Sequence, residues 1–199
     1  MKSFSQIMQE FKCQNNPLKT DKESAHSYIS SYYEEKFLPY KDKEIVIAEI
    51  GVLHGESLCL WAEYFNRARI IGIDCNYPTL EKYKNYKNIE FYRTDAYDAD
   101  FVKKLPQLDI AIDDGPHRLH HQKKFIELYL PKIKEDGLLI IEDIQEIKNI
   151  FDLKIQADKT CNQIQKSIHK KHYDLRKNKN RYDDIIFEVI VKKSRKIFI

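Results

Sequence analysis

The sequence predicts an α/β domain built on a doubly wound, mostly parallel sheet of seven strands that ends in an antiparallel strand pair. Three observations carry this. Short runs rich in β-branched residues recur at 45–50, 70–73, 89–92, 108–112 and 138–141. Helix-like stretches alternate with them, and alternation of this kind implies parallel strands joined by crossover helices, a Rossmann-like layout. Beyond residue 183 the chain shows two further apolar runs, 184–191 and 197–199, split by a short polar link, and strands joined so tightly pair antiparallel. At 199 residues, 42% hydrophobic and 33% charged, the chain fits one globular domain with a single sizeable core.

Taken in order, Thr20-Asp21-Lys22-Glu23 has capping-box spacing, in which the Thr20 hydroxyl and the Glu23 carboxylate satisfy each other's backbone N–H groups. A helix is expected from there to about Phe37. Tyr28, Tyr32, Tyr33, Phe37 and Tyr40 have helical spacing, more often a core stripe or the dimer face of a homo-oligomer than a sugar platform. The sheet domain then occupies 44–199, after an N-terminal helical segment over 1–43. Each apolar run reads as a strand buried on both faces. Helices are expected over 56–65, 80–86, 98–105 and 119–130, the last stopped by Pro131. From 145 to 183 the chain reads as a long polar, Lys-rich segment.

Composition removes several classes of function. No run approaches the roughly 20 apolar residues of a membrane span, and the N-terminus lacks the apolar centre of a secretory signal, so a cytoplasmic location is expected. Cys13, Cys59, Cys75 and Cys161 have no C-x-x-C spacing, which argues for reduced, mostly buried thiols over a zinc knuckle or disulfide framework. The net charge of +3 conceals a basic tail, because residues 154–199 carry 13 Lys/Arg against 5 Asp/Glu. A solvated helix face accounts for such a tail more often than nucleic acid does. All five glycines (Gly51, Gly55, Gly72, Gly115 and Gly137) fall in one stretch, the first pointer to a site.

In a doubly wound sheet the ligand sits at the carboxyl ends of the strands. The first strand ends in Glu49-Ile50-Gly51-Val52-Leu53-His54-Gly55-Glu56-Ser57, where two glycines let the backbone turn tightly and approach a ligand. A dinucleotide fingerprint needs a glycine where Leu53 stands, so NAD is disfavoured. An acid two residues before the first glycine and another, Asp74, at the end of the second strand suit a ligand with an ammonium-bearing amino acid and a ribose. S-adenosyl-L-methionine is such a ligand. Asp74 is assigned to the ribose hydroxyls, Asp95 to the adenine amino group and Glu49 to the methionine portion, directly or through water. Gly51, Gly55, Ser57 and Asp113 complete the expected cofactor contacts. Helix or loop capping is the competing role for Asp74, Asp95 and Glu49.

At the other end of the site, Asp113-Asp114-Gly115-Pro116-His117 closes the fourth strand and Glu142-Asp143 the fifth. Converging carboxylates repel and raise one another's pKa, whereas a hard divalent ion such as Mg²⁺ neutralises them. Asp114, Glu142 and Asp143 are therefore the expected metal ligands, with solvent-facing helix caps as the alternative. His117 lies just past a bend at Gly115 and Pro116, and an imidazole suits removal of a hydroxyl proton near neutral pH, which makes it the expected general base. The metal's part is to lower the pKa of an acceptor hydroxyl and fix it for in-line attack on a sulfonium methyl group. His117 and His121 have zinc-binding i, i+4 spacing, but no H-E-x-x-H motif accompanies them.

Together these residues resemble class I S-adenosylmethionine-dependent methyltransferases, and more narrowly the metal-dependent sugar O-methyltransferases of the macrocin and mycinamicin type. The likeness covers roughly residues 18–145. It rests on Thr20-Asp21-Lys22 with His26 and Tyr28, on Glu49-Ile50-Gly51 with Gly55, on Gly72-Ile73-Asp74, on Asp113-Asp114-Gly115 with His117, and on Glu142-Asp143. The resemblance implies a divalent metal on Asp114, Glu142 and Asp143, His117 as base, the Thr20 segment as part of a lid, and a sugar or glycosylated small molecule as acceptor. Pro116 departs from the small polar residue usual there, and the additional N-terminal domain that some members carry is not expected here. Two other readings are an RNA or other nucleic-acid methyltransferase, from the basic tail, and a non-catalytic S-adenosylmethionine-binding protein, from the two-glycine loop and an exposed aromatic segment at 28–40. Against the first, the motifs used on extruded bases are absent.

Overall fold

A computed structural model describes residues 2–13, 20–78 and 81–193. Seven strands form one sheet in the order β3-β2-β1-β4-β5-β7-β6. They are β1 (Val46–Ile50), β2 (Arg69–Asp74), β3 (Ile89–Arg93), β4 (Leu108–Asp113), β5 (Ile133–Ile141), β6 (Ser167–Asp174) and β7 (Ile185–Lys192). The first five run parallel; β7 is antiparallel to both β5 and β6. The chain crosses over at β1, which pairs with β2 on one side and β4 on the other, so the crevice between the ends of β1 and β4 is where such a sheet binds ligands.

Strand side chains alternate between two cores because the pleat has a period of two. Ile47, Ile70, Ile110 and Ile140 face one layer, packed by α1 (Phe4–Cys13), α3 (Glu34–Phe37) and α4 (Glu56–Tyr64) with the aromatic segment before α3, while α2 (Asp21–Ser24) lies at the edge of the site. Ala48, Ile71, Ala111 and Leu139 face the other, covered by α5 (Ala99–Lys104), α6 (Leu119–Tyr129) and α7 (Asn149–Ile164). A last short helix, α8 (Arg176–Lys179), lies in the link between β6 and β7. Among the described residues no helix is long and apolar enough to cross a membrane.

Three expectations change. The helix foreseen over 20–37 is broken: α2 is a single turn, Ser27 turns left-handed at φ 60°, and the chain resumes as a π-helical turn at Ile29–Tyr33 before α3. Thr20 Oγ1 accepts a hydrogen bond from the Lys22 N–H, but the Glu23 carboxylate accepts from Ser30 N–H, so the reciprocal capping box does not form. Of the two readings of the aromatic segment, the core one holds and the exposed one fails, with Tyr28, Tyr32, Tyr33 and Phe37 all buried. Finally, the antiparallel pair uses β6 from the Lys-rich segment as the partner of β7, while residues 197–199 lie outside the described residues. β6 is an edge strand, and charges such as Lys170 and Lys171 blunt an exposed edge, which hides it from a hydrophobicity reading.

Candidate active site

Gly51 shows why the β1 turn is built as it is. Its φ is +75°, and a Cβ placed there would sit 2.1 Å from the Asp114 carbonyl oxygen, so only glycine lets the β1 and β4 turns pass. Gly55, at φ +87°, then caps the start of α4. Beside these turns opens a cavity of about 640 Å³, within the range of small-molecule sites.

Of the residues expected at the cofactor, Gly51, Ser57, Asp74 and Asp95 line this cavity; Gly55, Glu49 and Asp113 lie behind its wall. Asp74 accepts from the Leu53 N–H at 3.3 Å and the Asn76 N–H at 2.9 Å, which ties the glycine turn to the end of β2. Asp95 accepts from the Tyr97 N–H at 2.8 Å. The Leu53 side chain is exposed at the rim. Glu49 is fully buried and accepts from Trp61 Nε1 at 2.9 Å. Asp113 accepts from the Tyr97 hydroxyl and the Gly115 N–H; burial nevertheless pushes its carboxyl up to about 6.

At the chemical end, Asp114, His117 and Asp143 line the cavity, and one ligand atom from each lies within 4.8 Å of the others. His117 sits on left-handed backbone at φ 57°, with Nε2 3.6 Å from Asp143 Oδ2 and a buried Nδ1 that has no hydrogen-bond partner among the described residues. Glu142 does not line the cavity. It is buried just behind, where it accepts from the Tyr33 hydroxyl and the Lys22 ammonium.

Lys22 is the feature the sequence reading did not foresee. Its ammonium, almost wholly buried, contacts Glu142, Asp114 Oδ2 at 2.6 Å and Glu49 Oε1 at 3.2 Å. Burial opposes its charge, but the attraction of Asp114, Glu142 and Glu49 outweighs burial and holds the ammonium well above the usual lysine range. One ammonium does not neutralise this many acids. Burial, with repulsion from Asp114 and Asp143, drives Glu142 well upward; burial and Asp114 raise Asp143; burial raises Glu49 despite Lys22.

Those directions set a pH dependence. Carboxyls raised above their unfolded values make the folded chain bind more protons than the unfolded chain, so stability is gained as pH falls through the folded values. Lys22, raised from an already alkaline value, is charged throughout this range and adds no slope. Asp113, raised to about 6, titrates in the same sense, whereas His121, lowered by burial, opposes it; in a His121→Gln background, chelator-treated protein is therefore expected to melt at a higher temperature at pH 6 than at pH 8. Added Mg²⁺ should raise the pH 8 melting temperature more than the pH 6 one, read by differential scanning fluorimetry. A chelated melting temperature that falls from pH 8 to pH 6 would contradict this charge imbalance.

Comparison with known proteins adds an independent line. A family described as a methyltransferase domain matches residues 48–144. The chain is 29% identical over 134 residues to the 8-demethyl-8-alpha-L-rhamnosyl tetracenomycin-C 2'-O-methyltransferase of Streptomyces olivaceus, across 63% of this chain and 35% of that protein. It is 28% identical over 129 residues to the mycinamicin VI 2''-O-methyltransferase of Micromonospora griseorubida, across 59% of this chain and 31% of that one. The solved MycE methyltransferase of mycinamycin biosynthesis, in complex with Mg and SAH, superposes with a TM-score of 0.73 at 20% identity, over 100% of this chain and 57% of that chain. That likeness shows the fold. The chain thus spans about a third of the length of the curated relatives it matches.

Proposed function

We infer, for a chain that carries a class I S-adenosylmethionine-dependent methyltransferase domain related to the macrocin- and mycinamicin-type sugar O-methyltransferases, that it methylates a hydroxyl of a sugar or glycosylated small molecule. The observation that carries this reading is the meeting of Asp114, His117 and Asp143 at the cavity that also takes in Gly51, Asp74 and Asp95. Curated relatives that act on sugar hydroxyls of glycosylated compounds support the acceptor class.

The donor set fits a hard divalent cation: it is rich in carboxylate oxygen, and its acids outnumber the ammonium that faces them. Asp114 and Asp143, with Glu142 behind them, would hold it. Such a cation supplies a lowered pKa at the acceptor hydroxyl, and S-adenosylmethionine supplies the electrophilic methyl group. The chain's own residues do the rest. Asp74 accepts from the ribose hydroxyls and Asp95 from the adenine amino group, which orients the cofactor in the cavity. The His117 imidazole takes the acceptor proton. The Asp143 Oδ2 carboxylate oxygen, 3.6 Å from its Nε2, stabilises the imidazolium that results.

Transfer of labelled methyl from S-adenosylmethionine to a panel of nucleotide sugars and glycosides tests this. Product is expected with Mg²⁺, none in chelator, and recovery when Mg²⁺ is returned. Undiminished transfer in chelator would contradict the metal's part.

A further inference from the structure

Asp143 is held by groups that the proposed reaction does not use. Its Oδ1 accepts from the Tyr28 hydroxyl at 2.5 Å and lies 3.5 Å from His26 Nδ1. The same His26 nitrogen lies 2.7 Å from Asp184 Oδ1, and the imidazole is stacked on Tyr28 with ring centroids 4.9 Å apart. Asp143 Oδ2, by contrast, is the oxygen near His117. The two oxygens of one carboxylate thus have separate partners, one inside the protein and one at the catalytic imidazole.

The inner partners are costly to keep without a purpose. His26, Tyr28 and Asp184 are all buried, and Asp184 Oδ2 has no hydrogen-bond partner among the described residues. Asp184 immediately precedes β7, at the head of a run of apolar residues, and its burial there is not something hydrophobicity alone would favour. Facing a carboxylate, His26 Nδ1 carries the proton and donates it, which fixes both the tautomer and the ring plane. An imidazole locked in this way, with a phenol beside it, leaves the Asp143 carboxylate a single orientation.

We propose that His26 and Asp184 are a positioning pair that, with Tyr28, holds Asp143 so that Oδ1 is retained inside the protein and Oδ2 is presented beside His117, and that this sets the affinity of the Asp114 and Asp143 carboxylates for a divalent cation. The proposal rests on the metal-dependent reading above. It assigns the N-terminal segment a part in building the site itself, through residues 158 positions apart in the sequence. Outer partners of metal-holding side chains typically contribute about 10–100-fold in metal affinity.

Titration with Mn²⁺, followed by electron paramagnetic resonance of the free ion, tests it in the full chain. His26→Ala and Asp184→Asn are expected to weaken Mn²⁺ binding by about 10–100-fold while S-adenosylhomocysteine affinity, read by calorimetry, stays within about threefold. His26→Asn, whose side-chain amide can return an N–H donor near the Nδ1 position, is expected to recover most of the loss, which a purely structural role for the imidazole would not produce. Tyr28→Phe, the mildest change, supplies the readout should either of the first two variants fail to fold, with a smaller but measurable weakening expected. Folded variants that bind Mn²⁺ as tightly as the parent chain would overturn the positioning role alone. A parent chain that takes up no Mn²⁺ would overturn the metal reading and the proposal with it.

Discussion

Replacement of His117 by alanine is expected to lower the turnover of methyl transfer by about 10²–10⁴-fold, the range contributed by a positioned general base, with S-adenosylmethionine affinity little changed. The backbone places this imidazole at the cavity. Gly115 and Pro116 bend the chain away from β4, and the left-handed residue that follows directs the ring beside Asp143 at the cavity. Its side chain is about a third exposed (32%), so truncation removes little packing and a large stability loss is not expected. The same variant separates two roles for the ring, because His117 also belongs to the group of donors within 4.8 Å. A base leaves Mn²⁺ affinity intact when removed; a ligand does not. Turnover equal to that of the parent chain would remove His117 from the reaction.

The second large effect concerns stability. Lys22→Met keeps the length and apolar stem of the side chain but deletes the ammonium that contacts Glu49, Asp114 and Glu142. Removing one partner of a buried ionic cluster costs about 3–5 kcal/mol, because the remaining charges stay buried without compensation. Metal-free Lys22→Met is therefore expected to unfold at markedly lower denaturant concentration. A divalent cation replaces the missing charge, so Mg²⁺ should stabilise the variant more than it stabilises the parent. Equal Mg²⁺-induced stabilisation of the two proteins would mean that Lys22 and the cation do not act on the same carboxylates.

The strands were readable where burial on both faces leaves a mostly apolar, β-branched run, as in β1, β2 and β4. β6 was not, because an edge strand rich in Lys and His alternates half-buried with exposed residues and reads as solvated chain. The acids of the site could be found locally, since turns at the carboxyl ends of β4 and β5 are where a sheet of this kind places its chemistry. Their partners could not. Lys22 is 92 residues from Asp114 and 120 from Glu142, and only the fold brings them together. The Thr20-Asp21-Lys22 motif marked the segment, as part of a lid, without showing that Lys22 faces the acids, and the break at Ser27 that redirects it leaves no periodicity signal. Asp184 did leave a trace: an acid at the head of the buried strand β7, where hydrophobicity alone would not put one.

The most direct measurement is the position of a divalent ion in a crystal of the chain grown with Mn²⁺ and S-adenosylhomocysteine, located by its anomalous scattering. The account predicts one ion at coordination distance from carboxylate oxygens of Asp114 and Asp143, with the His117 ring beside it and the cofactor product in the cavity between Gly51 and Asp95. A map in which Lys22 remains the sole cation among these acids, with the manganese elsewhere or absent, would contradict it.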